Sequence, residues 1–192
     1  MGAASIRVML GLIDKTGISF REVRRITNEI VECDGHKRWE MDRIAREIRR
    51  GISKAIELSD DAPSSIGVDS WGADFVLMDK QGKLVDTPVA YRDNRTEGMR
   101  ELWGMLMPEM DTFRRTGVNF YIFNTLFQLL SLKDKELLHK TSKILFMPCY
   151  INYLISGKAF NELTISSTSQ MLGLIGDQWD SGILSKLNLK KE

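Results

Sequence analysis

Trp71, Gly72 and Asp74 lie almost side by side, and Tyr91, Arg92 and Asp93 close the same stretch, IGVDSWGADFVLMDKQGKLVDTPVAYRDNRT from Ile66 to Thr96. Together they offer a flat apolar face, a point of close backbone approach, and charged hydrogen-bonding groups, which are the parts a polyol pocket needs. The apolar run Ile66 to Val68, ending in Asp69, reads as a strand buried on both faces; open α/β sheets place ligands at such carboxyl ends. Each side chain also has a structural alternative. Trp71 could be core, Asp69 and Asp74 could satisfy turn amides, Arg92 and Asp93 could be a surface pair, and Gly72 could serve backbone conformation alone. His36 and His139 sit in polar, unpatterned surroundings, and Thr164 to Ser169 reads as a structural loop because no histidine base is placed near it in sequence. Cys33 and Cys149 lack metal-ligand spacing and read as reduced, buried thiols.

These residues need a scaffold, and its elements are readable in part. A strand from Gly2 to about Ile13, the turn Asp14-Lys15-Thr16-Gly17 and a strand from Ile18 to Ile26 form a hairpin. Met41, Ile44, Ala45, Ile48, Ile52, Ala55 and Ile56 recur at helical spacing, with Arg43, Arg46, Arg49, Arg50 and Lys54 on the solvated faces. Phe75 to Met78 is a second apolar run; Asp79 to Lys83 turns, and Leu84 to Tyr91 continues outward as a strand. Thr96 is expected to cap a helix carrying Met99, Leu102, Trp103 and Leu106, and Asp111 to Arg115 to add a turn before Gly117. Leu126 to Leu132 reads as a buried helix, Asp134 as the cap of a short helix to His139, and Ile144 to Met147 as a strand. Pro148 suits a helix start and Gly157 its stop, and a last helix runs from Ser181 to Leu187. Strands first, then a helix, a strand pair and several helices argue for an α/β domain with a mixed sheet.

Composition narrows the function class. The 192 residues are 43% hydrophobic and 28% charged with a net charge of +1, which suits a globular domain and suggests neither nucleic acid nor a membrane surface as partner. The cytoplasm is the expected compartment. No apolar stretch is long enough to span a bilayer, and Arg7 interrupts the first apolar run.

The stretch from Gly67 to Thr96 resembles the corresponding segment of the FGGY family of carbohydrate kinases. TGVNFYIFNTLFQL from Thr116, LFMPCYINYLISGK from Leu145, and TISSTSQMLGL followed by Trp179-Asp180 agree with it in order and spacing. The resemblance implies a ribonuclease H-like (actin/hexokinase-type ATPase) domain, the first lobe of a two-lobe kinase. Residues 1–192 would be that N-terminal lobe, truncated at both ends and missing its first strand. It implies ATP with Mg2+ as cofactors and a ketose as substrate. The most similar members phosphorylate the 1-hydroxyl of L-rhamnulose; glycerol, xylulose or fuculose kinases, and a noncatalytic truncated binding module, are the alternatives. By the same resemblance Gly72 contacts the sugar, Trp71 and Tyr91 line the pocket wall, Asp74 and Arg92 belong to the site, and Tyr121 and Asn124 close one side. Ala3, Ala4, Ser5 and Arg7 match a phosphate-holding hairpin, with Ile6 where the pattern has glycine. The family's aspartate base lies beyond residue 192, so no catalytic residue and no metal ligand is expected here. The missing C-terminal lobe is the expected partner, and the segment alone is expected to be inactive.

Overall fold

The computed structural model describes residues 1–59, 61–133 and 135–190. It opens with a long hairpin, β1 (Ser5–Asp14) and β2 (Gly17–Thr27), paired from Ser5 opposite Thr27 to Asp14 opposite Gly17 with a register shift between Val8 and Met9. Asp14 closes the turn as expected, its Oδ1 accepting the Thr16 amide at 2.6 Å and the Gly17 amide at 3.2 Å. A second hairpin, β3 (Ile30–Cys33) and β4 (His36–Trp39), was not expected from the sequence. Its two-residue turn places Asp34 at φ 52° and Gly35 at φ 75°, the left-handed pair that matches the twist of adjoining strands.

Helix α1 (Met41–Glu57) follows the predicted stripe: Met41, Ile44, Ile48 and Ala55 are buried. Gly51, on the same face, lets the helix approach β1 so closely that a Cβ there would lie 2.5 Å from Val8 Cγ2. The basic faces are solvated and partly neutralised, with Arg24 paired to Glu47, Arg43 to Glu40 and Lys54 to Glu57.

Ile66 to Val68 differs from expectation. The segment forms no strand, and Ile66 is 51% exposed. A strand exists only through its neighbours, and among the described residues none pairs with this one; its carbonyl at Asp69 instead accepts from the Met1 ammonium. The central ribbon is β5 (Phe75–Met78), buried throughout, paired with β6 (Lys143–Phe146) from Phe75 opposite Phe146 to Met78 opposite Lys143. Among the described residues the strands pair as three antiparallel ribbons. Leu84 to Tyr91 is not a continuous strand: it bridges Met78 at Leu84 and Arg38 at Val89, tying β4 to β5.

The helices complete the α/β domain. Thr96 lies in a 3-10 turn (Asn94–Thr96) capped by Asp93, and α2 (Met99–Leu106) starts after Gly98 instead. Then come α3 (Glu109–Thr116), stopped by Gly117 in the left-handed region, and α4 (Thr125–Leu130), buried along its whole length. The expected cap at Asp134 lies outside the described residues; α5 (Glu136–Lys140) follows. Helix α6 (Met147–Ser156) has Pro148 in its first turn and ends at Gly157, as predicted. Thr164 is not in a loop but in α7 (Leu163–Ser167), whose first amides are capped by the Glu162 carboxylate, and α8 (Ser181–Lys186) is capped by Asp180. The core gathers around β5 and β6, with Trp39, Trp103, Phe127 and Phe146 fully enclosed. Both cysteines are unbridged; Cys149 is buried, whereas Cys33 is exposed because it flanks the β3–β4 turn.

Candidate functional site

The turn at Gly72 and Ala73 is held from behind. Ala73 has φ 72°, a left-handed conformation that costs a residue with a Cβ on the order of 1 kcal/mol or more. Its carbonyl accepts from Thr125 Oγ1 at 2.8 Å and Gln128 Nε2 at 3.2 Å, both supplied by α4. The same Gln128 amide also lies 2.9 Å from the Phe123 carbonyl and 3.2 Å from Asp74 Oδ1. One side chain thus joins the turn, the loop before α4 and the start of β5.

Asp74 was expected at the site surface; it is 1% exposed and turned inward. Its Oδ2 accepts the indole N–H groups of Trp39 at 2.6 Å and Trp71 at 2.9 Å, and the Tyr91 backbone amide also donates to the carboxyl. Burial pushes Asp74 above the usual carboxylate range, against the opposing pull of these donors. Trp71 is 9% exposed and packs on Trp39 with ring centroids 4.6 Å apart, so it backs the turn from inside. Asn124 is also buried, its Nδ2 donating to the Asn119 carbonyl and to Gln170 Oε1, both at 2.8 Å.

The groups that do reach the surface are Gly72, Tyr91, Arg92 and Tyr121. Tyr91 meets Phe123 edge to face at 6.1 Å, and Tyr121 stacks on Phe123 at 5.2 Å, so three rings form one continuous aromatic face. Arg92 Nε donates to the Tyr91 hydroxyl at 3.0 Å, with its guanidinium 5.3 Å above the ring. Asp93, in contrast, turns away from Arg92: it accepts from the Lys37 amide at 2.8 Å and the Arg95 amide at 2.9 Å, and contacts His36 Nδ1 at 3.1 Å. Burial pushes Asp93 up, but those amides and the His36 ring outweigh it and leave the carboxyl below its usual range.

Ala3, Ala4, Ser5 and Arg7 lie at and just before the start of β1, where the Gly2 amide donates to the Ser5 carbonyl at 2.8 Å and the Asn28 amide to the Ala4 carbonyl at 3.0 Å. Ala4 and Arg7 are exposed, while Ile6 is 2% exposed and fills the core. Among the described residues, no three His, Cys, Asp or Glu side chains are placed to hold a metal ion.

Sequence reasoning missed Trp39, Thr125, Gln128 and Arg95. Two signals were available: the Asp34-Gly35 pair, which fixes the hairpin that carries Trp39, and Gln128 as the lone polar side chain inside the apolar run Leu126 to Leu130.

The family model described as the FGGY family of carbohydrate kinases, N-terminal domain, matches residues 1–192. Rhamnulokinase of Yersinia pestis (strain Pestoides F) is 41% identical over 189 residues, covering 96% of this chain and 39% of that protein. Rhamnulokinase of Ligilactobacillus salivarius (strain UCC118) is 39% identical over 193 residues, covering 100% and 39% respectively. Ligand-bound xylulose kinase from Lactobacillus acidophilus superposes with a TM-score of 0.86 at 18% identity, over 100% of this chain and 39% of that one. Gluconate kinase from the same organism gives 0.83 at 17% identity over the same shares, and these likenesses establish the fold. The chain spans 39% of the length of these relatives.

Proposed function

This chain belongs to the FGGY family of carbohydrate kinases, and from that premise we propose that it is the sugar-contacting lobe of a kinase that transfers the γ-phosphate of ATP to L-rhamnulose. The observation that carries the proposal is the shared anchorage of the Gly72–Ala73 turn and the aromatic face on α4 through Gln128. Gly72 lets a ligand approach the backbone, and Tyr91 and Tyr121 offer ring faces to sugar C–H groups. Arg92 supplies donors to hydroxyl oxygens. Trp71, Asp74 and Asn124 position these groups from beneath. The identity to rhamnulokinases supports L-rhamnulose over glycerol, xylulose or fuculose.

Phosphoryl transfer also needs a held nucleotide and a base for the hydroxyl proton. The exposed Ala4 and Arg7 at the start of β1 suit contact with a phosphate, and ATP would bring the phosphoryl group there. Mg2+, usually held by one or two carboxylates beside the substrate phosphates, is not assigned to particular side chains here. We place the proton-accepting aspartate and the rest of the nucleotide site in a second lobe, and the compartment in the cytoplasm; the described residues include no helix long and apolar enough to cross a membrane.

Isothermal titration of this chain with L-rhamnulose, D-xylulose and glycerol tests the reading. L-rhamnulose is expected to bind most tightly, and mixing with ATP and Mg2+ to yield no sugar phosphate. A flat trace with all three at millimolar concentration would remove the sugar-binding claim, and phosphorylation by the chain alone would remove the two-lobe assignment.

A further inference from the structure

A cavity of about 200 Å3 lies between β4, β5 and the turn before α5, and none of Gly72, Tyr91, Arg92 or Tyr121 lines it. Its polar wall carries Arg38, Arg95, Lys135 and His36, and its floor is apolar, built from Phe75, Leu77 and Leu132. The charges around it do not balance locally. Arg38 is paired with Asp86 at 2.9 Å, which also lines the cavity, and His36 faces Asp93 at 3.1 Å. Among the described residues Arg95 has only neutral hydrogen-bond acceptors: its Nη2 donates to Gln128 Oε1 at 2.5 Å and to the Val89 carbonyl at 3.5 Å, while its buried Nε meets none. Its plane lies over Phe75, with Cζ 5.9 Å from the ring centroid. Burial pushes the Arg95 guanidinium down to about 10, Asp74, Asp93 and Asp86 only partly opposing this and Arg38 adding to it. Buried charges are ordinarily met by an opposite charge, because desolvation is otherwise uncompensated. Arg95 is also one of the residues that line the cavity.

We infer that this cavity binds a small organic carboxylate with a short apolar tail, its carboxylate facing Arg95 and Lys135 and its tail lying on Phe75, Leu77 and Leu132. One guanidinium with no carboxylate acceptor among the described residues calls for one negative charge. The apolar floor disfavours inorganic phosphate, whose oxygens would be left against hydrocarbon without partners. The volume is below the roughly 300–1,000 Å3 of drug-sized sites, which restricts the occupant to a small molecule. Gln128 accepts from Arg95 and donates to the Ala73 carbonyl, so the occupant would share a side chain with the Gly72–Ala73 turn.

The test is a 1H–15N NMR titration of the 192-residue chain with hexanoate, with hexan-1-ol as the neutral analogue and with inorganic phosphate. Hexanoate is expected to give saturable shifts at the Arg38 and Arg95 side-chain N–H resonances and at the Lys135 amide, and hexan-1-ol to give none. Two variants at partly exposed positions keep the test independent of folding, which the spectrum itself reports: K135E should weaken hexanoate binding about fivefold, and L137W, which fills the cavity, should abolish it. Absence of saturable shifts with hexanoate, equal binding of hexan-1-ol, tighter binding of phosphate, or unchanged binding in well-folded L137W would each overturn the inference.

Discussion

Replacing Asp74 with alanine removes the acceptor on which the strand–helix junction converges. Trp39 and Trp71 each lose the partner of a buried indole N–H, formerly at 2.6 and 2.9 Å. Gln128 loses least, since its amide keeps the carbonyls of Ala73 and Phe123. Each orphaned buried donor costs about 1–3 kcal/mol, so the two indoles give roughly 2–6 kcal/mol, apart from any loss at the half-buried Tyr91, whose backbone amide also donates to Asp74. Part of this is offset, because the dominant influence on Asp74 is the burial that makes its charged form costly. The expected net loss is therefore about 2–4 kcal/mol, a large share of the 5–15 kcal/mol typical of a domain. Urea unfolding followed by tryptophan emission measures it. In W39F the indole donor is already gone, so D74A should cost about 1–2 kcal/mol less in that background. Reasoning from orphaned donors is refuted if D74A loses under about 0.5 kcal/mol, or if the two substitutions are additive within about 0.5 kcal/mol.

Further expectations concern packing, turn geometry and pH. G51A brings a Cβ to 2.5 Å from Val8 Cγ2 and 2.9 Å from Val8 Cβ and should destabilise by about 1–3 kcal/mol despite alanine's better helix propensity, with V8A, which removes the Cγ contacts but keeps the Cβ, restoring only part of the loss in thermal melts. Volume-conserving Q128M and T125V release the Ala73 carbonyl; calorimetry should show sugar binding weakened about tenfold in the double variant, roughly the effect of two lost hydrogen bonds. Asp74 is held above its unfolded value near 3.9, so over the interval between the two values the native chain binds the extra proton. Stability should fall as pH rises through the folded value, and D74N should abolish that dependence in urea titrations. Asp93 is held below its unfolded value, so its contribution is present above about 3.9 and lost as pH falls through the lower folded value; the stability gap between wild type and D93N should close on that acid side.

Helix α1 and the β1–β2 turn were legible because their causes are local. A stripe from Met41 to Ala55 needs only helical geometry, and the Asp14 turn is closed by amides two and three residues on. Ile66 to Val68 was misread because apolarity marks a candidate strand but cannot supply its neighbour. Thr96 failed as a helix cap because Asp93 had already capped a 3-10 turn there. The site was half legible. Gly72, Tyr91 and Tyr121 emerge at the surface, while Trp71 and Asp74 turn in toward Trp39, a residue whose position depends on a separate hairpin.

By itself the sequence determined the family and the α/β class, because these rest on ordered motifs and short-range periodicity. Only the tertiary structure decided which polar side chains face solvent and which are consumed inside. Hydrogen bonds between Asp74 and the indoles of Trp39 and Trp71, or between Gln128 and Ala73, join residues up to 55 positions apart. The direction a carboxylate turns is fixed by which donors the completed packing brings within about 3 Å, and no local spacing carries that information.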